Sequence, residues 1–149
     1  MKTRKPMVAG NWKMNKTPTE ARDLIRGLLP ELKDVEAVDV VVCPPFVCLG
    51  VASVELAGSK IALGAQNLHW QASGAYTGEI SAGMLKELCQ YVIIGHSERR
   101  AMFGETDESV NKKVLAALAA GLKPIVCVGE TFDENQAGKT AEVVGRMVW

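Results

Sequence analysis

The sequence predicts an α/β fold built on a parallel sheet, and three observations carry that prediction. Five short apolar runs rich in β-branched residues recur along the chain: Met7–Ala9, Val38–Cys43, Ile61–Ala65, Tyr91–Ile94 and Ile125–Val128. They are nearly unbroken in apolar character rather than alternating, the pattern of strands covered on both faces. Helical patterns separate them, which makes the strands parallel neighbours. The chain has 149 residues, enough for one domain that buries roughly 68–70% of its unfolded surface.

Taken in order, Met7–Ala9 runs into Gly10-Asn11-Trp12-Lys13. A helix is expected over Thr17–Lys33, because Thr17-Pro18-Thr19-Glu20 forms a capping box with proline at the first helical position. Leu24, Ile25, Leu28, Leu29 and Leu32 fall on one face of it. Val38–Cys43 ends at Pro44-Pro45-Phe46, and Ile61–Ala65 ends at Gln66-Asn67. From Gln66 to Ile80 there is no periodic pattern, and so long a loop in a compact domain is commonly functional or an interaction element. Leu68, Trp70 and Tyr76 are expected to be costly to leave together in water. Either an interface covers them or the loop folds back over its own end of the sheet.

Tyr91–Ile94 opens abruptly onto Gly95-His96-Ser97-Glu98-Arg99-Arg100, with a short helical turn expected just after His96. Thr106-Asp107-Glu108 starts a further helix, its acids at the positive end of the dipole. Val110, Val114, Leu115 and Leu118 are expected inward, Ala116–Ala120 on a packed face, and Gly121 at the stop. Ile125–Val128 contains Cys127 and leads to Gly129-Glu130-Thr131. Val143, Val144, Met147 and Val148 are still in helical register where the sequence ends at Trp149.

Composition narrows the function. Seventeen basic residues balance seventeen acidic ones, and no Lys/Arg run exceeds a pair, so no nucleic-acid or membrane-surface footprint is expected. Cys43, Cys48, Cys89 and Cys127 show neither a C-x-x-C pair nor histidines at metal spacing. Reduced thiols in a cytoplasmic protein, with no metal site, are the expectation. No apolar run approaches the ~18 residues of a membrane helix. Neither G-x-G-x-x-G nor a P-loop pattern is present, which weakens the case for a generic phosphate-binding module.

Parallel α/β folds collect chemistry at the carboxyl ends of their strands. Here those ends offer an amide at Asn11, an ammonium at Lys13, a second amide at Gln66 and an imidazole at His96. Singly, Lys13 reads as a surface lysine and Asn11 or Gln66 as turn residues. Their shared edge favours a site.

The stretches AGNWKMN, LGAQN, SGAYTGEIS, IIGHSERR, GETDESVNKK and CVGET resemble the triosephosphate isomerase family across essentially the whole chain. The resemblance implies a (β/α)8 TIM barrel. It further implies a cofactor-free isomerase that interconverts dihydroxyacetone phosphate and glyceraldehyde 3-phosphate, usually a homodimer. His96, Lys13 and Asn11 would be catalytic, with Asn11 and Lys13 also holding substrate. Ser97, Glu98 and Cys127 would support them, Glu98 by bracing Lys13 or the His96 loop, although Glu98 alone also reads as a surface carboxylate. Cys127 alone also reads as a small buried hydrophobe. Met14, Gln66, Tyr76, Thr77, Glu79 and Arg99 would lie at the dimer interface, with Thr77 near the partner's Asn11 and Lys13. Arg99 would pair with Glu105 or, across the interface, with Glu79; Arg100 is expected to be solvated.

Eight βα units take about 250 residues, whereas this sequence supplies five strand patterns. Residues 1–149 are therefore expected to form a single partial barrel, truncated before the last three units. The family's catalytic glutamate, lid and later glycine-rich phosphate loops would be missing, the isolated chain inactive, and a complementary C-terminal fragment a candidate partner. The alternative is a noncatalytic, self-associating partial barrel that uses its open strand edges for assembly.

Overall fold

The computed structural model describes residues 4–148, so Trp149, the last residue of the sequence, lies outside the described residues. In chain order the elements are β1 (Met7–Asn11), α1 (Pro18–Leu32), β2 (Asp39–Cys43), α2 (Phe46–Glu55), β3 (Ala62–Ala65) and α3 (Ala82–Lys86), followed by β4 (Tyr91–Ile94), α4 (Ser97–Met102), α5 (Asp107–Ala119), β5 (Lys123–Val126), α6 (Phe132–Gln136) and α7 (Thr140–Val148).

All four strand pairings are parallel, and the strand order is the chain order, β1-β2-β3-β4-β5. Crossovers of one hand between successive neighbours keep the helices on one side. The two faces consequently differ. Val42, Leu63, Ala65, Val92 and Ile94 point into the main core with Ile25, Leu49, Leu85, Val110 and Ala117 of the helices. Val41, Cys43 and Ile93 alternate to the other face and pack with Ala62, Ile125 and Cys127. The sheet thus curls around a second cluster made of strand and strand-end residues, and its helical cover is one-sided; this is the half-barrel of a TIM-type fold, with about five βα units. Gly64 is needed at the curl, because a Cβ there would lie 2.8 Å from Cys43 Sγ and 3.2 Å from Tyr91 Cβ.

Local sequence explains the elements. Thr17 caps α1, accepting from the Glu20 N–H while Glu20 reaches back to the Thr17 N–H at 2.7 Å, as the capping box predicts. Ile25 is fully buried in α1 and Leu28, Leu29 and Leu32 pack beside it, but Leu24 is exposed and Ala21 takes the inward place. Thr106 caps α5, and its C-cap Ala120 is followed by Gly121 at φ +74. On α5 the inward stripe is Val110, Lys113 and Ala117, with Leu115 and Leu118 exposed. Apolar character alone had put those leucines inside. The i, i+3, i+7 spacing from Val110 instead selects a lysine and an alanine. β5 begins at Lys123, two residues ahead of its apolar run, since Lys123 and Pro124 pair with Tyr91 and Val92; a proline is tolerated in an edge strand.

Each outer strand has one neighbour among the described residues, β1 on β2 and β5 on β4. Their side chains are correspondingly open, with Val8 59% and Val126 40% exposed. All four cysteines are free thiols. Burial pushes the Cys43 thiol up to about 12 and the Cys89 thiol up to about 11. No helix among the described residues is long and apolar enough to cross a membrane.

Candidate active site

At the carboxyl end of β1 the chain turns sharply, with Lys13 at φ +54 and Lys16 at φ +79. A lysine in the left-handed region costs energy that its surroundings must offset. Three contacts do so. The Lys13 N–H donates to Asn11 Oδ1 at 3.0 Å, and the Gln66 amide nitrogen donates to the carbonyls of Lys13 (2.9 Å) and Cys43 (2.8 Å). Gln66 therefore ties together the returns after β1 and β2. The Lys13 ammonium is left to reach across to α4, where its Nζ lies 2.6 Å from Glu98 Oε1. That hydrogen bond holds the Glu98 carboxyl below its ordinary range.

β4 ends at Ile94, Gly95 adopts φ +73, and His96 is the N-cap of α4. Its Nδ1 accepts from the Glu98 N–H at 3.3 Å, with Glu98 Oε2 3.5 Å away. With Nδ1 accepting, a neutral ring carries its proton on Nε2 and can donate from there. Ser97, the first residue of α4, is exposed. Cys127 follows β5 directly; its N–H donates to the Ile94 carbonyl at 2.9 Å and its side chain is half-buried. Burial raises its thiol pKa, and the Arg100 charge opposes that rise.

Arg99 pairs with Glu105 within the chain. Glu105 Oε1 is shared with Lys113 Nζ at 2.5 Å, and Lys113 also donates to Asn67 Oδ1 at 2.8 Å. Arg100 is not solvated: its side chain is 17% exposed, Nε donates to the Gly95 carbonyl at 2.8 Å and Nη1 to Asp107 Oδ1 at 2.6 Å. These ties among Asn67, Arg100, Glu105, Asp107 and Lys113 were not found by sequence reasoning. The one signal for them was Lys113 itself, a charge standing on the apolar stripe of α5.

Asn11, Lys13, Gln66, His96 and Glu98 line one cleft of about 420 Å³, walled by Phe46, Phe103, Arg99 and Met14 and bordered by Glu79. The Gln66–Ile80 loop, irregular as expected, runs beside it. Leu68 is 1% exposed, so it belongs to the core and not to a wet patch. Its neighbour His69 stacks on Trp70 at 4.2 Å and faces Tyr76 at 4.5 Å between ring centres. Trp70 and Tyr76 stay 36% and 44% exposed, Thr77 and Glu79 are exposed, and Met14 is 94% exposed.

A consecutive parallel βα order, a sheet curled about its own cluster, and an amide, an ammonium and an imidazole converging at the strands' carboxyl ends define a protein of the (β/α)8-barrel class. Comparison with known proteins narrows the class. The family model described as Triosephosphate isomerase matches residues 6–148. Triosephosphate isomerases of Carboxydothermus hydrogenoformans and a Thermoanaerobacter species are 58% and 59% identical over 142 residues, 95% of this chain and 57% of each relative. The crystal structure of the Bartonella henselae triosephosphate isomerase superposes with a TM-score of 0.92 at 42% identity, covering 97% of this chain and 60% of that one. The chain belongs to the triosephosphate isomerase family. It spans 57% of the length of those two sequence relatives.

Proposed function

We propose that these residues supply the first five βα units of an enzyme that interconverts dihydroxyacetone phosphate and glyceraldehyde 3-phosphate. The observation that carries this reading is the convergence of Asn11, Lys13 and His96 in one cleft of a chain in this family. Moving a proton between adjacent carbons through an enediolate needs a base on carbon, a donor to the developing oxyanion and a cation for the phosphate. His96 is the donor, from Nε2. Lys13 is the cation, a compact charge held in place by Glu98. Asn11 fixes both the Lys13 turn and the substrate. Ser97 and Cys127 support the His96 return, and the reaction calls on no cofactor.

No residue of these five units is assigned as the carbon base. Residues 1–149 act as one partial-barrel domain, and the base, the lid and the later phosphate loops come from three further βα units on a complementary segment. Alone, the chain turns over negligibly, since loss of a general base costs about 10²–10⁴-fold. The assembled protein is a cytoplasmic homodimer in which Met14, Gln66, Tyr76, Thr77, Glu79 and Arg99 lie at or near the subunit contact. A second reading, a noncatalytic self-associating half-barrel, draws on the two single-neighbour edges and the exposed Val8, Val126 and Val128.

Mixing the chain with a polypeptide carrying the three missing units separates the readings. A stoichiometric complex with triose-phosphate turnover is expected, and robust turnover by the chain alone would overturn the assignment. In the complex, His96→Gln should lower turnover by roughly 10²-fold or more. Lys13→Met should lower turnover and phosphate-ligand affinity together, and unchanged kinetics would exclude Lys13. A complement that fails to bind favours the noncatalytic half-barrel.

A further inference from the structure

We propose that Arg100 is a positioning residue for His96, gripping the backbone one residue before the ring and anchoring it to α5. The geometry is a two-point clamp. Arg100 Nε holds the carbonyl of Gly95 at 2.8 Å while Nη1 holds Asp107 Oδ1 at 2.6 Å. Asp107 is the first residue of α5, and its other oxygen lies 3.6 Å from Arg146 Nε on α7. The guanidinium fills the space behind the turn, for a Cβ at Gly95 would meet Arg100 Nη2 and Val110 at 3.0 Å each.

Gly95 sits at φ +73, and a glycine is the residue most free to leave such a conformation. Its peptide plane carries His96, so whatever fixes the Gly95 carbonyl aims the ring. A planar fork bonded to two elements sets direction as well as distance, which a single ammonium does not. Arg100 Nη2 is buried with no acceptor among the described residues. The clamp takes its functional meaning from the isomerase reading above, but its geometry stands apart from it.

The test uses imidazole ¹⁵N NMR on the 149-residue chain, which holds two histidines. His69 is the internal reference, because its Nδ1 accepts from the Gln71 N–H at 3.0 Å on a different loop; His69→Gln assigns the signals. Arg100→Met and Arg100→Lys should both move the His96 ring shifts toward tautomer-averaged values and leave His69 unchanged. Asp107→Asn should give an intermediate displacement. In the complemented enzyme Arg100→Lys should lower kcat by about 10- to 100-fold with KM nearly constant, the scale of a misplaced catalytic group. If Arg100→Met does not fold, Arg100→Lys and Asp107→Asn decide the matter. Wild-type His96 signals in either folded variant overturn the clamp and leave the isomerase reading untouched. Displaced His96 signals alongside wild-type turnover in His96→Gln support the clamp and remove the isomerase role of the ring.

Discussion

The return after β4 and the loop after β3 leave neighbouring strands at the same edge of the sheet, yet they are held by different means. The β4 return is fixed by charges: Arg99 and Lys113 share Glu105, and Arg100 joins Gly95 to Asp107. Lys113 and Glu105 side chains are each 5% exposed. The β3 loop shares that network only at its start, where Asn67 accepts from Lys113; beyond it the loop is held by the His69 N–H to Ile80 carbonyl bond and by ring faces, with His69 against Trp70 and Tyr76 and every residue from 71 to 79 exposed. Removing one partner of a buried pair strands a charge in a medium that cannot solvate it. Rearranging half-wet rings costs little. The first return is therefore the more firmly fixed of the two, and the exposed stretch of the second is the more adaptable.

The sharpest way to break the contrast is Glu105→Gln. It leaves Lys113 buried without a charge partner and should cost about 3–5 kcal/mol, read as a lowered urea midpoint. Burial pushes the Glu105 carboxyl up, but hydrogen bonds from Lys113 and Arg99 outweigh it and the net shift is downward from 4.5. The stabilisation is therefore present above pH 4.5 and lost as pH falls through the lower folded value. Acid titration of stability should show that loss in the parent chain and a flatter profile in Glu105→Gln. Next in size, Gly95→Ala forces a side chain into φ +73 against Arg100 and Val110 and should cost roughly 1–3 kcal/mol. Wild-type stability there would mean the turn is not tightly held. The smallest effect belongs to the other loop: Tyr76→Asp with Thr77→Arg should leave the chain's own stability within about 0.5 kcal/mol. In the complemented protein the same pair should move sedimentation from dimer to monomer. An unchanged profile would mean the loop rests only on its own subunit.

The strand ends and the capped helices were legible because they follow from local rules. Thr17 and Thr106 announce their helices whatever surrounds them, and an apolar run that stops at Gly10 or Gly95 marks an edge. The Asn11, Lys13 and His96 cluster followed from that edge. What stayed hidden depended on partners far along the chain. Arg100 looked like a solvated charge until Asp107 and the Gly95 carbonyl were seen to face it. Leu115 and Leu118 looked like core until the phase of α5 placed Lys113 and Ala117 inward. Leu68 differed from Trp70 and Tyr76 only in which way the loop turned it.

Strand order that follows chain order has a kinetic consequence. Met7 pairs with Asp39, Val41 with Ala62, Gly64 with Tyr91, and Tyr91 with Lys123, so no pairing waits for more than one βα unit to be made. Closure entropy at each step is nearly constant, and a polypeptide leaving the ribosome amino terminus first, at about 5–20 residues/s, can add each unit to an edge already in place. The outer side of β1 gains no neighbour by this route among the described residues, so stepwise growth leaves its backbone N–H and C=O groups open to pairing however many units are added after it.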